Sequence, residues 1–176
     1  MTVTFHPDGR IEHNGVEVAS EKMVDFWYVN SDITNSDSDT YLPGSKFTRN
    51  DKNAGASQIG TGMSLASDGT WTFPTTGKYM IVVHLNNRAN SGDNTYLGLF
   101  STTNNSTYVE CRRMQSSSSG NNGNSHSGSG EYFINVTDTS QVKVKYYPMS
   151  LQSGSFFEGA DATQLQSTIT YTRLSR

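Results

Sequence analysis

Cysteine is almost missing from this sequence: Cys111 is the only one in 176 residues. A lone cysteine excludes an intrachain disulfide, so the fold must be held by its own core. Charge is also scarce. Asp, Glu, Lys and Arg make up 16% of the chain and leave a net charge of -3, against about a quarter in ordinary globular domains. No run of Lys or Arg forms a stripe that could track phosphates, so nucleic acid is not an expected partner. Long hydrophobic runs are absent too. The longest, Met80-Ile81-Val82-Val83, falls far short of the roughly 20 apolar residues that cross a bilayer as a helix, and no membrane insertion is expected. The opening Met1-Thr2-Val3-Thr4-Phe5 lacks the basic-then-apolar pattern of a signal peptide. With the single cysteine, this leads us to expect a soluble protein made in a cytosol.

What the chain has instead is aromatic residues and turn formers. Nine Tyr, eight Phe and two Trp supply large apolar surfaces to bury. Ser, Thr, Asn and Gly supply the turns that join short strands. Strand patterns recur at Met23–Val29, Thr70–Phe73, Lys78–Leu85, Thr95–Thr102, Thr107–Met114, Glu131–Val136, Gln141–Tyr147 and Ser167–Leu174, and no segment keeps a helical period. A short strand is expected at Lys46–Arg49, within a long irregular stretch at 30–62. Within Lys78–Leu85 both alternating faces are apolar, Tyr79, Ile81, Val83 and Leu85 on one and Met80, Val82 and His84 on the other. That pattern predicts burial on two sides. Residues 115–130, QSSSSGNNGNSHSGSG, are low in complexity and predict a flexible loop. About ten short strands separated by turns indicate an all-β sandwich of jelly-roll type. Residues 1–19, with Asp8-Gly9 as turn, are expected to form a separate N-terminal hairpin arm, and residues 20–176 the jelly-roll domain.

Catalytic spellings are present, but their contexts are wrong. Gly62-Met63-Ser64-Leu65-Ala66 approximates a nucleophile elbow, yet a strand follows Ser64 where the elbow needs a helix. Ser140-Gln141-Val142-Lys143 spells Ser-x-x-Lys, but Val142 and Val144 alternate as in a strand. The histidines His6, His13, His84 and His126 are scattered, without metal-ligand spacing. His84 is expected as a hydrogen-bonded residue at a strand end, and Cys111 as an inward-facing small apolar residue. Arg112 and Arg113, the adjacent basic pair, read as an interface or a solvated edge. Asp32, Asp37 and Asp39 stand in an oxygen-rich stretch of the kind Ca²⁺ prefers, but without the glycine and closing glutamate of a Ca²⁺ loop; ordinary turn chemistry is the favoured account of them. No catalytic, cofactor-binding or metal-binding residue is therefore assigned, no cofactor is expected, and the chain is read as not an enzyme.

One stretch is more specific. Gly69-Thr70-Trp71-Thr72-Phe73-Pro74-Thr75-Thr76-Gly77-Lys78-Tyr79 is a strand, a Pro-led turn and a second strand. Pro74 stops pairing, and Gly77 can take a positive φ. This Phe-Pro-x-x-Gly-x-Tyr pattern resembles the signature of the C1q/tumour-necrosis-factor jelly-roll family. Tyr96–Phe100, Glu131–Val136 with Thr139–Val144, and Ser167–Leu174 follow in that family's order. The resemblance covers roughly residues 20–176 and implies a homotrimer. A second resemblance concerns Thr4-Phe5-His6-Pro7-Asp8-Gly9-Arg10-Ile11, which looks like the opening of virion structural proteins of tailed marine and cyanobacterial phages. Together they imply a trimeric capsid decoration or cement protein on the virion, partnered by itself and by other virion proteins such as the major capsid protein. The alternative they imply is a fibre-tip adhesion domain that recognises a glycan or protein receptor on the host surface.

Overall fold

The computed structural model describes residues 2–6, 11–19, 22–51, 57–89, 93–117, 125–160 and 164–175. Three short strands come first: β1 (Val3–Phe5), β2 (Ile11–His13) and β3 (Val16–Ala19) form their own sheet. The N-terminal segment thus carries a third strand beyond the expected hairpin. Asn14 and Gly15 make the second turn with φ of 52° and 77°, the conformation that Asn-Gly favours between paired strands. The expected Asp8-Gly9 turn lies outside the described residues.

The remaining strands are β4 (Met23–Val29), β5 (Ile33–Thr34), β6 (Phe47–Arg49), β7 (Gln58–Ile59), β8 (Ser64–Leu65) and β9 (Trp71–Thr72). Then come β10 (Gly77–Arg88), β11 (Asn94–Thr102), β12 (Val109–Ser117), β13 (Ser125–Val136), β14 (Lys143–Met149), β15 (Phe156–Phe157) and β16 (Thr168–Ser175). One sheet runs β5-β15-β10-β16-β4-β6, with β13 on the other side of β10 and β7 beside β4; the second runs β12-β11-β14-β9-β8. From β9 onward the long strands cross repeatedly between the two sheets, which gives the jelly roll expected from the sequence.

The core lies between the sheets. Trp71, Tyr79, Tyr146, Tyr171, Phe73 and Phe157 are fully buried there, so the aromatic residues do supply the apolar area that the low hydrophobic content would otherwise lack. Trp71 is the hub: its ring meets Trp27 edge-on at 4.7 Å and lies 5.1 Å from Tyr171. The Phe73–Tyr79 bend closes as the motif suggests. The two rings pack at 4.8 Å, and the Tyr79 hydroxyl donates to the Thr75 carbonyl at 2.9 Å. Gly77 takes φ +141°.

Two expectations are corrected. Residues 115–130 are not wholly a loop: β12 continues to Ser117 and β13 begins at Ser125. Ser125–Gly130 pair with Arg88–Val83 of β10, and Gln115–Ser117 with Tyr96–Asn94 of β11. Backbone hydrogen bonds to long neighbouring strands need no apolar side chain, which is why composition misjudged them. β10 is not buried on two sides within the chain. Tyr79, Ile81, Val83 and Leu85 are buried, Met80 and Val82 are half-buried, and His84 is exposed, because the second sheet covers only one face.

Candidate functional site

The uncovered face of β10 belongs to a four-strand surface. Antiparallel register places directly opposed residues on the same face of a sheet. On this surface the register builds three rows. Phe133, Met80, Thr172 and Val24 form the first; Glu131, Val82, Thr170 and Phe26 the second; Ser129, His84, Thr168 and Tyr28 the third. Phe133 is 58% exposed and nearby Leu174 49%. Those two side chains flank an apolar depression with Lys78, Tyr79, Ile134 and Asn135. The charged groups here are Lys78, which lines the depression near the start of β10, and Glu131, in the second row on β13. A flat, apolar and threonine-rich sheet face with few charges has the make-up of an interface core.

Polarity rises towards the far end of β10. His84, Asn86, Ser127, Ser129 and Gln166 line a shallow depression there, and His84, Ser129, Arg112 and Glu131 line the next one. His84 is therefore not the strand-end residue expected from sequence. The strand runs on four residues to Arg88, because β13 and β15 supply further pairing, and His84 stands exposed in mid-strand.

The opposite outer surface, on the second sheet, carries an aromatic cluster. Tyr41 lies 5.6 Å from Phe100, 5.7 Å from Tyr108 and 5.2 Å from Tyr147. The Lys145 ammonium sits 5.2 Å from both the Tyr41 and Tyr108 rings and 3.0 Å from the Asp68 carboxylate. Burial, with the neighbouring phenols of Tyr108 and Tyr147, raises the Tyr41 hydroxyl above its usual range. Lys145 in turn holds the Asp68 carboxyl below the ordinary range.

The remaining singled-out residues are not brought together. Ser64 is exposed on β8, opposite Thr72. The Ser140 hydroxyl donates to Asp138 at 2.7 Å, while the Lys143 ammonium donates to the Thr139 carbonyl and the Thr72 hydroxyl. The Ser-x-x-Lys spelling thus forms no dyad. Asp32 accepts the Gly159 amide, Asp37 accepts the Thr34 amide and the Lys46 ammonium, and Asp39 accepts the Ser150 amide. Each carboxylate ties down a different piece of backbone, and no group of three or more metal-ligating side chains occurs among the described residues. His6 pairs with Glu12 at 3.3 Å in the N-terminal sheet, far in sequence from His84. Cys111 packs against the core and donates its thiol to the Leu99 carbonyl, with burial raising it above the usual thiol range. That is the inward placement expected of it.

Sequence reasoning missed two features. A register shift opposite Leu99/Phe100 interrupts β12 and puts Glu110 and Arg113 on one side, where they pair at 2.7 Å; adjacent Arg112 faces the other depression. A bulge of this kind leaves little trace in hydropathy. The buried Asp25–Arg49 pair was also missed, although an aspartate inside the apolar run Met23–Val29 was a visible signal.

No family model and no curated protein matches the chain in sequence. Solved structures do match in shape. Eiger TNF from S. frugiperda aligns over 88% of this chain and 94% of its own, at 13% identity and a TM-score of 0.62. Murine APRIL aligns over 87% of this chain and 99% of its own, at 12% identity and a TM-score of 0.58. At such identities the likeness speaks for the fold alone, and the fold is the C1q/TNF-like jelly roll.

Proposed function

We propose that this chain is a non-catalytic, self-assembling module: a homotrimer built through the outer face of β4, β16, β10 and β13, acting as a virion surface protein that decorates and stabilises a phage capsid. The observation that carries self-assembly is the set of apolar side chains in the first two rows, Phe133, Met80, Val24, Val82 and Phe26, which are exposed or half-buried on a single chain. Covering them with a second copy removes apolar area from water at about 25 cal/mol per Å². It also places few charges in a dry interface. The jelly-roll fold supports the same reading, since the family that the sequence resembles assembles as trimers.

The virion reading rests on the Thr4–Ile11 stretch and gains support from the N-terminal sheet. Its strands are three or four residues long, too short for an isolated sheet to be firm. Val3 and Phe5 are exposed on it, Phe5 at 74%. An apolar handle of this kind suits docking on a neighbouring shell subunit. Sedimentation of the purified protein tests self-assembly, with a trimer expected at micromolar concentration and a monomer counting against it. Imaging of virions tests position: density on the capsid shell supports decoration, and density at a tail or fibre end overturns it.

One observation favours adhesion as a second reading. The Tyr41, Phe100, Tyr108 and Tyr147 rings form a partly exposed aromatic surface away from the proposed trimer face, and such surfaces can stack on sugar rings. Binding to host cells that is lost in Tyr41→Ala and Tyr147→Ala would support it; undiminished binding by both would exclude this surface.

A further inference from the structure

We infer that the copies are keyed to one another by a charge pair at each contact, the Arg112 guanidinium of one copy on the Glu131 carboxylate of the next. The inference rests on the trimer reading above. Glu131 is exposed in the second row of the face, opposite Val82 and in line with Thr170 and Phe26. A copy seated on that row covers the carboxylate or borders it. A carboxylate taken out of water without a cation is strongly disfavoured, so the covering copy has to bring one.

Few cations are free to serve. Among the described residues, Lys46, Arg49, Arg88, Arg113 and Lys145 are each engaged by a carboxylate of their own chain, and Lys143 and Arg173 are buried. Arg112 is exposed, and among the described residues its side chain has no ion-pair or hydrogen-bond partner. It approaches the face from outside. β12 belongs to the second sheet, and Arg112 runs beside β13 where Gly130 has no side chain; a Cβ there would stand 3.4 Å from Arg112 Nε. Arg112 then lines one depression with Glu131, Val82, His84 and Ser129, yet the two charges form no pair within the chain.

Symmetry favours this cation over Lys22 and Lys78. Rotation about a threefold axis leaves each residue at its own height along that axis, so groups that meet across a contact must share a height. Arg112 and Glu131, lining one depression, share it whatever direction the axis takes. Lys78 stands opposite Asn135, two rows from Glu131, and Lys22 precedes β4 at that same end of the face. Contacts in a three-membered ring also join two different patches. A cation at the margin of one copy thus meets an anion on the face of the next, and the same pair forms three times. The planar guanidinium matches a carboxylate with two parallel hydrogen bonds.

Charge reversal followed by mixing provides the test, read by sedimentation velocity over a concentration series. Arg112→Glu sets two carboxylates against each other at every contact, and Glu131→Arg two guanidinium groups. Each is expected to raise the concentration at which the trimer dissociates by about tenfold or more. Their far-ultraviolet spectra should stay unchanged, since both positions are exposed. The Arg112→Glu/Glu131→Arg double variant should regain wild-type strength. The two single variants mixed one to one should assemble more strongly than either alone, because a mixed ring restores opposite charges at two of its three contacts; a pair confined to one chain gains nothing from mixing. Single variants as strong as wild type, or weakened ones that mixing does not rescue, overturn the inference and leave the trimer intact. Wild type that stays monomeric throughout the series overturns the trimer reading itself.

Discussion

Asp25 and Arg49 form a two-point ion pair inside the sandwich, with Arg49 Nε 2.8 Å from one carboxylate oxygen and Nη2 3.2 Å from the other. Asp25 is wholly buried and also accepts the Met63 amide, while Arg49 donates to the Met63 carbonyl and lies 4.5 Å over the Trp27 ring. One hydrogen bond with each partner thus pins Met63 onto β4 and β6. Removing Asp25 leaves the buried Met63 amide without its acceptor, while Arg49, a third exposed, stays in reach of water. Asp25→Ala is expected to cost about 1–3 kcal/mol, read as a lowered denaturant midpoint with an unchanged slope. A loss under about 1 kcal/mol would show that the pair is dispensable.

The buried phenols of Tyr146 and Tyr171 meet at 2.9 Å. Burial raises both above the ordinary tyrosine range. Because the folded state holds these protons more tightly than the unfolded one, their contribution to stability is complete below about pH 10 and lost as the pH rises beyond it. Spectrophotometric titration should find two tyrosines silent until the chain unfolds. Tyr146→Phe should cost about 1–3 kcal/mol, and the Tyr146→Phe/Tyr171→Phe double variant less than the sum of the singles, since no hydroxyl is then left unmatched.

Gly77 has little room for a side chain. A Cβ there would stand 2.4 Å from the Ser175 carbonyl oxygen and 2.9 Å from Arg173 Nε, at a φ of +141°. Gly77→Ala is expected to destabilise by about 1–3 kcal/mol, whereas Gly15→Ala meets only its positive φ and no neighbouring atom and should cost less. Thermal melts of the two variants compare them directly.

On the proposed trimer face, Val82→Lys puts a charge in the middle row without touching the core side of β10. The variant should keep its far-ultraviolet spectrum and sediment as a monomer. A trimer of wild-type strength would move the interface elsewhere.

Much of the fold was legible in the chain. Met23–Val29 and Lys78–Leu85 could be read as strands because β-branched and aromatic residues alternate there, and Phe73-Pro74 with Gly77-Lys78-Tyr79 could be read as a bend from proline and glycine chemistry. β5, β7, β8 and β15, at two residues each, were not legible, because so short a strand exists only through its partner's backbone. Ser125–Gly130 were hidden for the same reason: their serines and glycines do not favour a strand, and pairing with β10 recruited them.

The candidate site divides along the same line. Alternation along β10 settles from the residues alone that two apolar faces exist, since side chains of a strand point alternately to either side. Which face the second sheet covers, and which is left open with His84 beside Ser129, depends on how distant strands pack. Asp25 shows the limit most clearly. Its carboxylate lies within an apolar run, but its partners are 24 and 38 residues away, and only the folded chain brings them within hydrogen-bonding distance.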